Sequence, residues 1–257
     1  MLDAFQRALI EKAGKDNGWE HVKNSTPDYV DMSSAFHGAT VLIGNDTVPA
    51  GYMYSVRFDT VFDQTEVIRS VENIRYTDNS YFVKDEGALS KLLYRCAALI
   101  VSLPDTPLQE YEQQIKKELQ ADTTGISKTE REGVVRQRVG QNIYRDALMN
   151  YWQYACALTG ITIPAVLKAS HAKPWADCSS DAERLNVYNG FLFAANIDSL
   201  FDAGLISFTD TGTILISNHV PEAEYLKLGI SLSCKLRWID AKHVPFLQWH
   251  REKVFQM

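Results

Sequence analysis

Three short stretches hold the residues whose types and spacing suit chemistry: LKASHAKPW (167–175), ERLNVYNGFLF (183–193) and AANIDSLFDAG (194–204). The first is an apolar run that ends on Ser170 and His171 and is halted by Lys173, Pro174 and Trp175. A neutral imidazole, with an ordinary pKa of about 6.5, suits removal of a proton from water. A carboxylate such as Asp198 suits Mg²⁺ or Mn²⁺, which take oxygen ligands and keep several waters for phosphate to displace. A base and a cation together are what phosphodiester hydrolysis needs, because negative charge builds on the phosphate and on the leaving oxygen.

Those groups have to be positioned. Asn189-Gly190 signals a turn, FLFA reads as a short strand, and NIDSLFDAG opens a helix that carries Asp198. The order is a strand ending in His, a long loop, Asn-Gly, a strand and a helix. If the two strands pair, His171 and Asp198 face each other across one site. Gly204 is expected to cap the helix, and Asp202 to brace its end rather than to bind metal.

The set CALTG (156–160), ASHAKPW (169–175), ERLNVYNG (183–190) and IDSLFDAGLISF (197–208), with the lead-in RVGQNIYRDAL (138–148), resembles the HNH endonucleases of the ββα-metal group in their restriction-type branch. The resemblance covers about residues 130–217, with several motifs in the expected order. It implies that His171 is the general base, that Asn189 pins the loop and holds the base, and that Asp198 is the metal ligand on the helix. The motif is then His-Asn-Asp, a change that a hard cation accepts. Ser170 stands where many of these nucleases place a further Asp or His ligand. A hydroxyl is a poor ligand, so Ser170 is a secondary metal candidate and water completes the set. The resemblance also implies DNA as substrate, 5′-phosphate and 3′-hydroxyl products, and a setting in restriction or anti-phage defence. Mg²⁺ is the expected ion and Mn²⁺ the alternative. Cys96, Cys156, Cys178 and Cys234 are scattered and form no CxxC pair, so no structural zinc is expected. Lys173, Arg184, Arg138 and Arg145 are candidates for DNA phosphate contacts. His219, His243 and His250 lie outside the motif and read as structural, with His219 as reserve ligand. Cys156 and Trp175 read as core.

The whole chain reads as α+β in two domains: an acidic α+β domain over 1–125 and an HNH domain with a ββα-metal core over 126–257, its motifs within 156–208. Helical spacing runs through Leu2, Phe5, Ala8 and Leu9. ATVLIG, YMYSVRF, VIRSV and SYFVK look like strands, followed by helices at 87–102 and 107–120, the linker ADTTGISKTE, and a further helical stretch over 129–158 in two pieces. A helix is expected at about 196–203, and GLISFTDTGTILIS reads as a hairpin. Trp238, Phe246 and Trp249 read as core anchors.

Charge is uneven. Residues 1–127 hold 12 Lys and Arg against 19 Asp and Glu, a net −7, whereas residues 128–257 hold 14 against 13, a net +1. Such acidity opposes binding to a polyanion. It favours a domain that docks a protein or small-ligand partner over one that reads DNA through the aromatic strand Tyr52–Phe58. No apolar run approaches the roughly 18 residues of a membrane span, and the N-terminus lacks a signal peptide's apolar block. The expectation is a cytoplasmic protein with no membrane partner. One site per chain implies a homodimer or sequential nicking for double-strand cutting. Two rival readings stay open: a catalytically silent DNA-binding module, and a nicking or structure-selective nuclease of mobile-element or recombination biology.

Overall fold

In the computed structural model the chain is mixed α+β, and its contacts divide it into two units, Met1–Ile100 and Val101–Met257. The structure describes residues 1–46, 48–121 and 128–257.

In the first unit, α1 (Ala4–Asp16) opens on a capping box. The Asp3 carboxylate accepts from the Gln6 N–H, and the Gln6 side chain accepts from the Asp3 N–H. There follow β1 (His21–Ser25), β2 (Tyr29–Ser33), β3 (Thr40–Gly44), β4 (Tyr54–Phe58), α2 (Gln64–Ile68), β5 (Ile74–Thr77), β6 (Ser80–Val83) and α3 (Glu86–Ser102). The strands make one antiparallel sheet in the order β1-β2-β3-β4-β6-β5. Alternate residues Val30, Met32, Val41, Ile43, Tyr54 and Val56 are buried on one face, as the two-residue strand period requires. Trp19 is fully buried, and its indole N–H donates to the Leu93 carbonyl at 3.1 Å.

One expectation is corrected here. VIRSV (67–71) is not a strand, because Val67 and Ile68 end α2 and Arg69 caps it. Asp63 accepts from the Thr65 N–H at its start, and Val67 and Val71, one helical turn apart, are both buried. In the aromatic stretch Tyr52–Phe58, alternate side chains serve the core. Tyr54 and Val56 point into the core, and Phe58 sits in an aromatic cluster with Trp19, Phe62 and Tyr81.

The second unit starts with α4 (Asp105–Ala121) and α5 (Lys128–Tyr151). The proposed break at 125/126, and most of the ADTTGISKTE linker, lie outside the described residues. The contact division falls earlier and groups α4 with α5. The stretch expected as two helical pieces is one helix, which stops at Tyr151. Gln153 and Tyr154 then take left-handed φ values of 55° and 54°. Beyond come β7 (Leu167–His171), α6 (Asp181–Arg184), β8 (Gly190–Ala194), α7 (Ala195–Asp202), β9 (Ile206–Phe208), β10 (Ile214–Ile216), α8 (Tyr225–Leu228) and α9 (Val244–Lys253).

The ββα centre is β7, β8 and α7. β7 pairs antiparallel with β8 from Leu167↔Ala194 to His171↔Gly190, and α7 packs against both. All five β8 residues are buried, with Phe191, Phe193, Phe201 and Phe208 forming the core beneath them. Trp152 stacks on Trp238 with centroids 4.4 Å apart. β9 and β10 form the expected hairpin. Among the described residues no single helix is long and apolar enough to cross a membrane.

Candidate active site

β7 delivers His171 at its last residue, half-buried, where the paired strand begins at Gly190. The imidazole Nε2 lies 2.8 Å from the Arg184 carbonyl. A carbonyl only accepts, so Nε2 carries the proton and Nδ1 keeps the basic lone pair. Burial lowers the His171 pKa to about 4, partly offset by the hydrogen bond to that carbonyl. The ring is therefore neutral at pH 7. Nδ1 has no hydrogen-bond partner among the described residues.

Asn189, wholly buried at the end of the loop before β8, holds that loop together. Its Oδ1 accepts from the Lys173 N–H at 2.8 Å. Its Nδ2 donates to the Lys173 carbonyl at 3.1 Å and to the Glu183 carbonyl at 3.2 Å. Its backbone carbonyl accepts from the Ala172 N–H at 3.0 Å. One amide thus ties the turn after His171 to the segment that supplies the Arg184 carbonyl. Such a buried network is costly to break, since each unpaired group loses about 1–3 kcal/mol.

Asp198 lies in the first turn of α7. Its carboxylate accepts from the Ser170 hydroxyl, so the strand residue before the imidazole and the helix carboxylate are in direct contact. The helix ends in a Schellman turn: Gly204, at φ 67°, donates to the Phe201 carbonyl and Leu205 to the Leu200 carbonyl. Asp202 does not brace that end. It makes no hydrogen bond among the described residues, and it lines a cavity of about 390 Å³ with Ser170, His171 and Trp175. Its carboxyl pKa is raised to about 6 by burial in the cavity wall and by the charge of Asp198 one turn away.

Each of the four cations expected at phosphates has a partner within the protein. Arg145 donates to the Leu167 carbonyl at 2.6 Å and the Pro164 carbonyl at 3.1 Å. Arg184 donates to the Trp175 and Cys178 carbonyls and pairs with Asp181. Lys173 pairs with Glu183 at 2.7 Å, and Arg138 pairs with Glu118. Of the four, Lys173 and Arg184 sit on the loop that frames His171.

Of the histidines outside the motif, only His250 lies in the cavity wall among the described residues. His219 contacts Ser217 at 3.3 Å and is not in the cavity wall. His243 caps a turn at Asp240 within the aromatic core. His250 does line the cavity, but both its nitrogens are used, by Ser207 at 3.0 Å and the Phe201 carbonyl at 3.1 Å. Cys156 is buried, and its sulfur accepts from the Ala194 N–H.

Sequence reasoning missed the back wall of the site. Tyr144 of α5 is buried and stacks on His171 with ring centroids 3.8 Å apart and planes 17° apart. Its position within RVGQNIYRDAL was the one available signal.

Residues 156–209 match the HNH endonuclease family model. The C-terminal part of the chain therefore carries an HNH endonuclease domain, and nuclease chemistry of the hydrolase class is supported there. No curated protein matches the chain. HNH nucleases generally use a divalent metal ion, and the donor set here suits a hard one. The Ser170 hydroxyl touches the Asp198 carboxylate and shares a cavity wall with the Asp202 carboxyl, and all three groups are oxygen donors. Among the described residues no three His, Cys, Asp or Glu side chains form a closed cage, so water and phosphate would supply the remaining ligands.

Proposed function

We propose that this protein is a metal-dependent DNA endonuclease of the restriction-type HNH branch, acting in restriction or anti-phage defence. The observation that carries the reading is the fixed tautomer of His171: Nε2–H is committed to a carbonyl, and Nδ1 is left basic at the cavity that Ser170 and Asp202 share.

His171 Nδ1 takes the proton from water, and that water attacks the phosphorus in line with the P–O3′ bond. Cleavage leaves 5′-phosphate and 3′-hydroxyl ends. Asn189 keeps the imidazole aimed by holding both sides of its loop. Asp198, with Ser170 beside it, would hold the divalent ion, Mg²⁺ first and Mn²⁺ second. When bound, that ion supplies positive charge to the phosphate and the leaving oxygen. A pKa of about 4 leaves His171 unprotonated at neutral pH but weakly basic, and a phosphate anion beside it raises that basicity in the complex.

The acidic residues 1–127 favour a protein or small-ligand partner over DNA. With one site per chain, a homodimer or two successive nicks would give a double-strand break.

Plasmid cleavage tests the reading, with methylated and unmethylated DNA in Mg²⁺, Mn²⁺ or EDTA. Cutting in either metal and none in EDTA is expected. Cutting in EDTA would overturn the mechanism, and DNA binding without cutting under any condition would favour a silent clamp.

A further inference from the structure

α5 runs along β7, and Gly140 and Tyr144 meet the turn at its end while Arg145 reaches its beginning. Gly140 makes room for Trp175, since a Cβ there would lie 2.1 Å from the indole ring. Tyr144, one helical turn later, stacks flat on His171. Arg145 holds the Leu167 carbonyl at the start of β7 and the Pro164 carbonyl in the turn before it. The Tyr144 hydroxyl donates to the Asn189 carbonyl at 3.0 Å, the same oxygen that receives the Ala172 N–H. Gly190 has to be glycine for this contact, because a Cβ would lie 2.0 Å from that hydroxyl. Trp175 meets the imidazole at 5.9 Å with its plane at 90°.

We propose that Tyr144 is a positioning residue for the His171 base, resting on the reading of His171 given above. The Arg184 carbonyl restrains the imidazole at one nitrogen but leaves the ring free to tilt about that hydrogen bond. The stacked phenol ring removes the tilt, and the hydroxyl joins the same network that Asn189 braces. Tyr144 does not touch the reacting atoms; it fixes the plane in which Nδ1 points. Its aromatic ring is the working part, and the hydroxyl refines the placement.

The test combines kinetics with the imidazole signal of His171 in protein carrying isotope-labelled histidine rings, assigned as the peak lost in His171→Ala. In the wild type that signal should lie upfield, shifted by the ring current of Tyr144. Tyr144→Phe keeps the ring, and should keep both the shift and kcat to within about threefold, on the scale of one neutral hydrogen bond. Tyr144→Met fills the space without a ring. It should lose the shift and lower kcat about 100-fold with KM little changed, the cost of a base misplaced by about 1 Å. An unshifted wild-type signal overturns the stack. A folded Tyr144→Met protein with wild-type kcat, or a folded Tyr144→Phe protein that loses the shift, overturns the positioning role. If Tyr144→Met does not fold, the wild-type signal and the Phe variant still decide. A wild type that cuts no DNA yet shows the shift would count against the nuclease reading, not against the stack.

Discussion

The two units treat charge in opposite ways. In the first, Glu66 and Arg95 are both buried and close on each other at 3.2 Å, and Arg69 joins Glu66 at 3.1 Å. In the second, His171 and Asp202 stand at a strand end and a helix end in the wall of one cavity, with Nδ1 and the Asp202 carboxyl left unpartnered among the described residues, while Asp198 is held by the Ser170 hydroxyl. The first arrangement satisfies its charges internally and so builds a core. The second leaves polar groups open to a cavity, beside a loop held by the hydrogen bonds of Asn189.

Breaking the closed pair should have the largest effect on stability. Glu66→Ala leaves Arg95 buried without its carboxylate and is expected to cost about 4 kcal/mol. Thermal or denaturant melting would read this, while cleavage per folded molecule should stay unchanged. A loss of cutting in the folded fraction would erase the contrast between the two units.

Acid should act next. Burial, opposed by the Phe201 carbonyl, lowers the His250 pKa to about 4, below that of an unfolded histidine. The unfolded chain therefore binds the extra proton between about pH 6.5 and pH 4. The stability His250 contributes is complete above about pH 6.5, falls as the pH drops toward 4, and totals about 3 kcal/mol. His250→Gln should flatten that part of a stability-against-pH curve; an unchanged slope would contradict the assignment.

Asn189→Ala removes the amide that joins the His171 turn to the Glu183 segment. The expected result is a kcat about 100-fold lower, with the helix content of the domain kept by circular dichroism. Normal kcat would make that amide a packing element only. Smallest of all, Arg138→Ala should change stability by about 0.5 kcal/mol, because its pair with Glu118 is exposed. A clear loss of DNA affinity on the same substitution would return Arg138 to the phosphate contacts.

Much of the candidate site's placement could be read from the sequence because its residues lie within one short stretch, in strand, loop and helix segments whose ends announce themselves. Ser170 and His171 before Lys-Pro-Trp, Asn189-Gly190, and Asp198 with Gly204 all mark such ends. What could not be read depends on distant packing. Tyr144 looks like any buried residue on a helix until β7 is placed against it. Arg184 and Arg145 carry the same charge whether they meet phosphate or a carbonyl, and only folding shows that carbonyls hold them. In the first unit, VIRSV has strand composition, yet Asp63 and the one-turn spacing of Val67 and Val71 make a helix end there. β1, β2 and β5 went unread because HVKNS, YVDMS and IRYT lack the apolar runs of TVLIG and SYFV, and β1 is mostly exposed.

The most direct test of the central claim is single-turnover DNA cleavage by His171→Ala beside the wild type in saturating Mg²⁺, with folding matched by circular dichroism. The cutting rate is expected to fall about 1,000-fold, within the range a general base contributes, while DNA binding is retained. Cutting at the wild-type rate by the folded variant would contradict His171 as the base.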